Sequence, residues 1–270
     1  MFSASRKAAL LALMTAMACA GPSRVLRVCA DPNNLPFSNA RLEGFENKIA
    51  RLVGNALDAR IEYVWWAQRR GFIRHTLRDG KCDAVMSVPA RLEMARTTAP
   101  YYTSSYVFVT RRGSYQPASF DDPYLTTATI GVHLIGDDFA NSPPAHALSA
   151  RGLIDNVRGY SIYGDYKQPN PPAALINAVA EGGVDVAVAW GPLAGYFARW
   201  SSIPLQLTRV RPDEEPPFPF VFDMAMGVAP SNERLQSELN EVIAQRRGDI
   251  ERILRDYNVP LVPRQEAAAR

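Results

Sequence analysis

Two of the chain's four tryptophans stand side by side in Tyr63-Val64-Trp65-Trp66-Ala67-Gln68-Arg69-Arg70-Gly71-Phe72. Indole rings bury large apolar area and attract cations, while guanidinium groups grip planar anions or stack on rings. A run of both is chemistry for recognition rather than for making bonds. Trp65 continues a β-type run, where it is either core or display. Trp66, Gln68, Arg69 and Arg70 fall in the turn that comes next, where display is expected. The other reactive residues are scattered. His75, His133 and His146 show no ligand spacing, so no metal is expected. Asp137-Asp138 reads as a solvated loop or helix cap, and neither a nucleophile elbow nor a phosphate loop occurs. Nothing marks a cofactor site, and no cofactor is expected.

Residues 1–20 have a cationic start at Arg6 and Lys7, an apolar run from Ala8 to Met14, and Ala18-Cys19-Ala20. This is the layout of a secretory signal peptide cleaved after Ala20, and the apolar run is too short to span a bilayer. Of 30 basic and 27 acidic residues, removal of Arg6 and Lys7 leaves 28 against 27. A nearly neutral chain has no field to draw nucleic acid. Export leaves Cys29 and Cys82, an even pair in an oxidising compartment, so a disulfide is expected. Two buried thiols are the alternative, because Cys29 lies towards the end of its strand and Cys82 at the start of another. Parallel neighbours with that offset would hold the sulfurs too far apart.

The elements that must position these groups alternate. Val25–Cys29 is a strand ended by the turn-rich "DPNNLPFSN"; Phe45, Ile49, Leu52, Val53, Ala56 and Leu57 recur at helical spacing between Glu43 and Leu57. Ile61–Trp65 is a strand and Gly71–Arg78 a short helix, succeeded by the strands "CDAVMSV", "YVFVTRR" and "TIGVHL". "PPAALINAVAEGG" is a helix with proline at its entry and glycine at its exit; "VDVAVAW" is a strand, "GPLAGYFARW" a helix and "MAMGVAP" a strand. Two terminal helices complete the chain, capped by Ser231 and Asp249. Proline-rich 169–172 and 216–219 read as loops. Strands alternating with crossover helices predict an α/β fold with parallel sheets.

The order strand, Pro-Phe turn, "GFE" helix, "GKCDAV", "TTAPYYTSSYVFV", "SFDD", "TIGV", "GGVDVAVA" is similar to the periplasmic solute-binding proteins of the amino-acid type, family 3. The likeness runs from residue 25 to about 260. It implies the type II fold: two lobes, each a sheet flanked by helices, joined by two hinge strands near Val107–Arg112 and Phe220–Gly227. Lobe one is 21–110 plus 224–262, lobe two is 111–223, and 263–270 is a C-terminal tail. A narrower likeness rests on longer strings, among them "RVCADPNNLPFSN", "WWAQRRGF", "IGDDFANSPPAHALSARGL", "GYSIYGDY" and "NPPAALINAVAEGGVDVAVAWGPLAGYF". These resemble the MoxJ/XoxJ proteins, solute-binding-like accessory proteins associated with PQQ-dependent methanol dehydrogenases.

That likeness implies a cleft between the lobes. Amino-acid-binding relatives place an arginine after the "CDAVM"-type strand to grip a carboxylate, and an acid after "VDVAVA" for the ammonium. Arg91 stands near the first position without matching the pattern, and Trp190 occupies the second. The resemblance then makes Asn33, Phe37, Trp65, Trp66, Gln68, Arg69, Arg70, Tyr101, Tyr102, Tyr106, His133, Asp165 and Trp190 the cleft or partner-binding candidates. They sit at strand ends and adjoining loops, which face the crevice in open α/β sheets.

Three functions fit. The first is a periplasmic, non-enzymatic accessory protein that docks a PQQ-dependent methanol dehydrogenase and assists its activation or maturation. The second is the solute receptor of an ABC transporter, holding a small molecule or peptide in the cleft. The third is a dehydratase-like enzyme on the same scaffold, for which Asp165 and Arg91 would be the acid and the carboxylate anchor.

Overall fold

The computed structural model describes residues 24–135, 141–162 and 166–263. The leader assigned to residues 1–20, Asp137-Asp138, Asp165 and residues 264–270 of the tail lie outside the described residues.

Strands β1 (Arg24–Ala30) and β2 (Ala59–Trp65) run parallel, with Arg24 opposite Ala59 and Ala30 opposite Trp65. Helix α1 (Phe45–Ala56) is the crossover, and its periodic face of Phe45, Ile49, Ala50 and Val53 is buried. Gly44 precedes it for a steric reason: a Cβ there would lie 2.0 Å from the carbonyl oxygen of Phe37. With that space clear, the Phe45 and Glu46 amides donate to the carbonyls of Pro36 and Phe37 at 2.8 and 2.9 Å. The Asn47 amide oxygen accepts from the Gly44 and Asn39 amides, each at 3.1 Å, so the end of the helix and the Pro-Phe turn are fixed together.

Strand β3 (Ala84–Pro89) lies parallel on the other side of β1, with Val28 opposite Ala84. The helix expected over Gly71–Arg78 is a single wider π-turn, Arg74–Arg78. The disulfide is present. Cys29 and Cys82 are bonded, with their Cα atoms 5.6 Å apart. Strand offset does not separate them, because Cys82 precedes β3. The chain bends at Lys81 and Asp83, and both half-cystines pack with Phe72, Leu77, Val85 and Val88.

Strand β4 (Tyr102–Arg111) carries the chain from one lobe to the other, and β5 (Ile130–Leu134), α2 (Pro143–Ala150) and β6 (Val157–Ser161) continue the second. Next come α3 (Ala174–Ala180), β7 (Val186–Trp190), α4 (Gly191–Trp200), β8 (Leu205–Arg209) and β9 (Val221–Val228). Helices α5 (Glu233–Gln245) and α6 (Arg247–Asp256) bring Leu235, Leu239, Ile250 and Leu254 back onto the core of the first lobe.

The sheet order is β2-β1-β3-β9-β4-β7-β5-β6, with β8 also on β4. β4 pairs antiparallel with β9 through Tyr102–Ser105 and then with β7 through Tyr106–Thr110. β4 therefore changes partners at Ser105–Tyr106, where the Tyr106 amide donates to the Phe220 carbonyl at 2.8 Å, and β9 passes from β4 to β3 at Met224. In the second lobe the apolar runs face two cores. Val107, Val109, Ala187 and Ala189 pack towards Leu175 and Leu193, while Phe108, Val186 and Val188 pack towards Phe120 and Phe220. Two-sided burial explains why "VDVAVAW" is continuously apolar.

The helix caps differ from expectation. Asn232 rather than Ser231 caps α5, its side chain accepting from the Leu235 amide at 3.1 Å. Arg246 ends α5 and begins α6, which leaves no linker for a cap at Asp249; that residue sits in the first turn, where an acid suits the helix dipole. No helix among the described residues is long and apolar enough to cross a membrane.

Candidate functional site

A cavity of about 540 Å³ opens where the carboxyl ends of β1 and β3 meet those of β5 and β7. Its first wall begins at Asp31, one residue past β1 and 2% exposed. Its carboxylate accepts from the Asn33 amide at 2.7 Å, the Gln68 amide at 2.6 Å and the Tyr166 hydroxyl. One buried acid thus ties the loop after β1 to the loop after β2, and both to a residue of the second lobe. The Asn33 side chain adds a bond of 3.0 Å to the Gln168 carbonyl, and the Arg69 guanidinium lies 5.1 Å from the Tyr166 ring centre. The Asn34 and Gln68 side chains bond at 3.0 Å along the rim.

Below this rim lies Glu46, on the buried face of α1 and 9% exposed. Burial pushes its carboxyl up to about 7; a hydrogen bond with Ser87 opposes the shift, and the charge of Asp31 adds to it. The Ser87 hydroxyl is 2.7 Å from that of Tyr101, which also donates to the Met86 carbonyl at 2.8 Å.

The opposite wall is made of rings. Trp190 ends β7 opposite Tyr106 of β4, with ring centres 5.4 Å apart. Phe222 completes a trio, 5.7 Å from Trp190 and 6.3 Å from Tyr106, with edges turned to faces. Trp190 is placed by its chain neighbour Gly191. A Cβ at that glycine would lie 2.5 Å from the Ser105 carbonyl oxygen, so only glycine lets α4 start this close to β4. His133, 4% exposed, is pushed down to about 4 by burial, against which a bond to the backbone of Pro172 acts weakly. It is therefore neutral at pH 7.

Of the residues singled out from the sequence, Asn33, Phe37, Gln68, Arg69, Arg70, Tyr106, His133 and Trp190 line this cavity together. Four do not. Tyr101 and Tyr102, 6% and 5% exposed, are core residues of the first lobe, because β4 enters the sheet at Tyr102, earlier than the "YVFVTRR" strand. Trp65 stacks on Tyr63, two residues back on the same strand face, at 4.7 Å. Trp66 is 41% exposed outside the cavity, with the Lys81 ammonium 4.5 Å from its ring centre. Asp165 lies outside the described residues. Arg91 is exposed and does not line the cavity, to which Leu92 and Met94 contribute instead.

Sequence reasoning passed over Asp31, Glu46, Ser87, Tyr166 and Phe222. Two left a signal. Asp31 directly succeeds a parallel strand, and Glu46 is an acid on the same helical stripe as Ile49, Ala50 and Val53. Among the described residues, no three of His, Cys, Asp and Glu come together as metal ligands.

Residues 26–259 match the bacterial extracellular solute-binding proteins, family 3. Protein MoxJ of Methylorubrum extorquens AM1 is 30% identical over 88% of this chain and 82% of its own length. Protein MoxJ of Paracoccus denitrificans is 29% identical over 92% and 94%. The crystal structure of the periplasmic binding protein XoxJ from Methylobacterium extorquens AM1 is 37% identical, covers 88% of this chain and 100% of that one, and superposes with a TM-score of 0.73. The chain belongs to the family 3 bacterial extracellular solute-binding proteins, and within them to the MoxJ/XoxJ type.

Proposed function

We propose that this protein is a periplasmic accessory protein that docks a PQQ-dependent methanol dehydrogenase and assists its activation or maturation, without catalysing a reaction itself. The lobes act as 21–110 plus 224–262 and 111–223, closing about β4 and β9 on a segment of the dehydrogenase. The observation that carries the reading is the rebuilt cleft of a MoxJ/XoxJ-type chain. At the two positions where amino-acid-binding relatives place their carboxylate-gripping arginine and their ammonium-binding acid, this chain has Arg91, which does not line the cavity, and Trp190, which joins Tyr106, Phe222 and Leu92 in its walls. Aromatic anchors ringed by arginine are what protein interfaces concentrate their affinity in. Trp66, Arg69 and Arg70, exposed beside the mouth, extend that surface.

The test is recovery of the dehydrogenase from periplasm on the immobilised mature protein. Capture of the large quinoprotein is expected, weakened about tenfold by Trp66→Ala with Arg70→Ala, a loss typical of an interface anchor. Failure to capture it, together with saturable binding of a small solute that closes the lobes, would return the protein to the transporter class.

A further inference from the structure

The cavity carries a charge pattern that docking alone does not use. Its mouth has Arg69 and Arg70, both solvent-exposed, whereas its floor has one acid, Glu46, almost wholly withdrawn from water. Lining the same cavity is the trio Tyr106, Trp190 and Phe222. An aromatic face and a buried carboxylate share one preference. Both attract a cation, the first through the ring quadrupole and the second through its charge, and both act more strongly out of water. An anion gains from neither. The mouth arginines oppose a cation only through screened solvent, and Arg69 is already engaged with the Tyr166 ring.

We propose that the floor of the cleft receives a single organic cation, the ammonium or guanidinium end of a lysine or arginine side chain on the docking segment, held between the Glu46 carboxylate and the Tyr106–Trp190–Phe222 wall. This rests on the cleft being the docking site and adds the chemistry of what enters it.

The seat is proton-coupled. Burial raises the Glu46 carboxyl to about 7, so near neutrality it carries a proton part of the time, and a cation arriving beside it drives that proton off. The tyrosines around Glu46 are shifted away from neutrality. Asp31 faces it from the end of β1 and is held by three donors. Tyr63, Tyr101 and Tyr102 face it from β2 and the start of β4, and all three hydroxyls are shifted upward. Across the cavity, His133 is neutral through the same window. Cation binding therefore strengthens as pH rises through 7. A ligand that accepted a hydrogen bond from a protonated Glu46 would show the opposite trend.

The experiment titrates the full mature protein calorimetrically with benzylammonium, benzyl alcohol and phenylacetate, at pH 6 and pH 8. Benzylammonium is expected to bind about tenfold more tightly at pH 8 than at pH 6, with proton release seen as a dependence on buffer ionisation enthalpy. It should outcompete the neutral alcohol at pH 8 and lose that lead in Glu46→Gln. Trp190→Leu is the second variant, and should weaken benzylammonium more than the alcohol while leaving the proton release in place. Equal or tighter binding of the alcohol or the acid would overturn the proposal. So would affinity that rises as pH falls, or full cation preference in a folded Glu46→Gln. Capture of the dehydrogenase with no binding of benzylammonium overturns the cation seat and leaves docking intact. The cation pattern without capture supports the seat and removes the docking function.

Discussion

On the wall built from the first lobe, the cleft meets a hydrogen-bonded network of Asp31, Asn33, Gln68, Glu46 and Ser87. On the wall from the second lobe and the crossing strands, it meets Tyr106, Trp190, Phe222 and a neutral His133. The first wall is assembled by loops. Asp31 organises two of them, and a disulfide fastens the chain between β2 and β3 behind it. The second wall is assembled by register: Trp190 meets Tyr106 because β7 and β4 pair there, and alternation sends neighbouring side chains into two cores. A polar wall needs each donor in place, since a buried unpaired group costs about 1–3 kcal/mol. An apolar wall needs volume and strand pairing. The two walls should therefore fail differently.

The largest expected difference comes from the covalent link. Cys29 and Cys82 are 53 residues apart, and closing a loop of that length removes entropy that raises the free energy of the unfolded chain by about 4 kcal/mol. Reduction, or Cys29→Ala with Cys82→Ala, should lower the unfolding free energy by an amount of that order. The lost amide protection should centre on β1, β3 and the Arg74–Arg78 turn. Hydrogen exchange read by strand decides this. Equal loss of protection in β5, β6 and β7 would show that the walls are one cooperative unit.

Next in size is a pair of opposite titrations. Glu46 is raised from 4.5 to about 7 in the folded protein. Between those values the native state holds the extra proton, so this group's contribution falls as pH rises and its penalty is complete above 7. His133 is lowered from 6.5 to about 4, so the unfolded chain holds the extra proton and stability is lost as pH falls through that range. From about 4.5 to 6.5 the two slopes oppose each other, and the wild type should be nearly flat there. Glu46→Gln should raise stability by about 2 kcal/mol at pH 8 and do little at pH 4, exposing a slope of about 1.4 kcal/mol per pH unit from His133. His133→Gln should leave the mirror image, a decline from pH 4.5 to 7. Parallel pH profiles for wild type and both variants would mean that neither wall holds its group uncharged.

Much of the second wall was legible in the sequence, and less of the first. Trp190 could be placed because "VDVAVAW" leading into Gly-Pro announces a buried strand running into a helix, and strand ends face the crevice. The Cys29–Cys82 bond was anticipated from parity and export, while the argument against it failed on one bend, at Lys81–Asp83, that strand reasoning cannot see. Glu46 was missed because an acid in the first turn of a helix suits the macrodipole and needs no further role. Only its burial shows that it faces the cavity rather than water. Tyr101 and Tyr102 were set in the cleft because β4 was started too late. One strand that begins four residues early turns a supposed lining into core. Tyr166 had no sequence signal, since its role depends on an Asp31 that is 135 residues away.

The smallest effect tests where the walls touch. The Tyr166 hydroxyl donates to Asp31, and the Asn33 side chain donates to the Gln168 carbonyl, so the two walls are bridged by groups that belong to no strand of the large sheet. Tyr166→Phe keeps the ring under Arg69 and removes only the hydroxyl. Asp31 retains the Asn33 and Gln68 amides, so the first wall should stay folded at a cost of about 1 kcal/mol. What should change is the population of separated lobes: a larger radius of gyration by small-angle scattering, with unaltered exchange at the Asn33 and Gln68 amides. Faster exchange at those amides without expansion would show that Tyr166 belongs to the loop network of the first wall. The boundary between a loop-built and a register-built wall would then lie on the far side of the cleft.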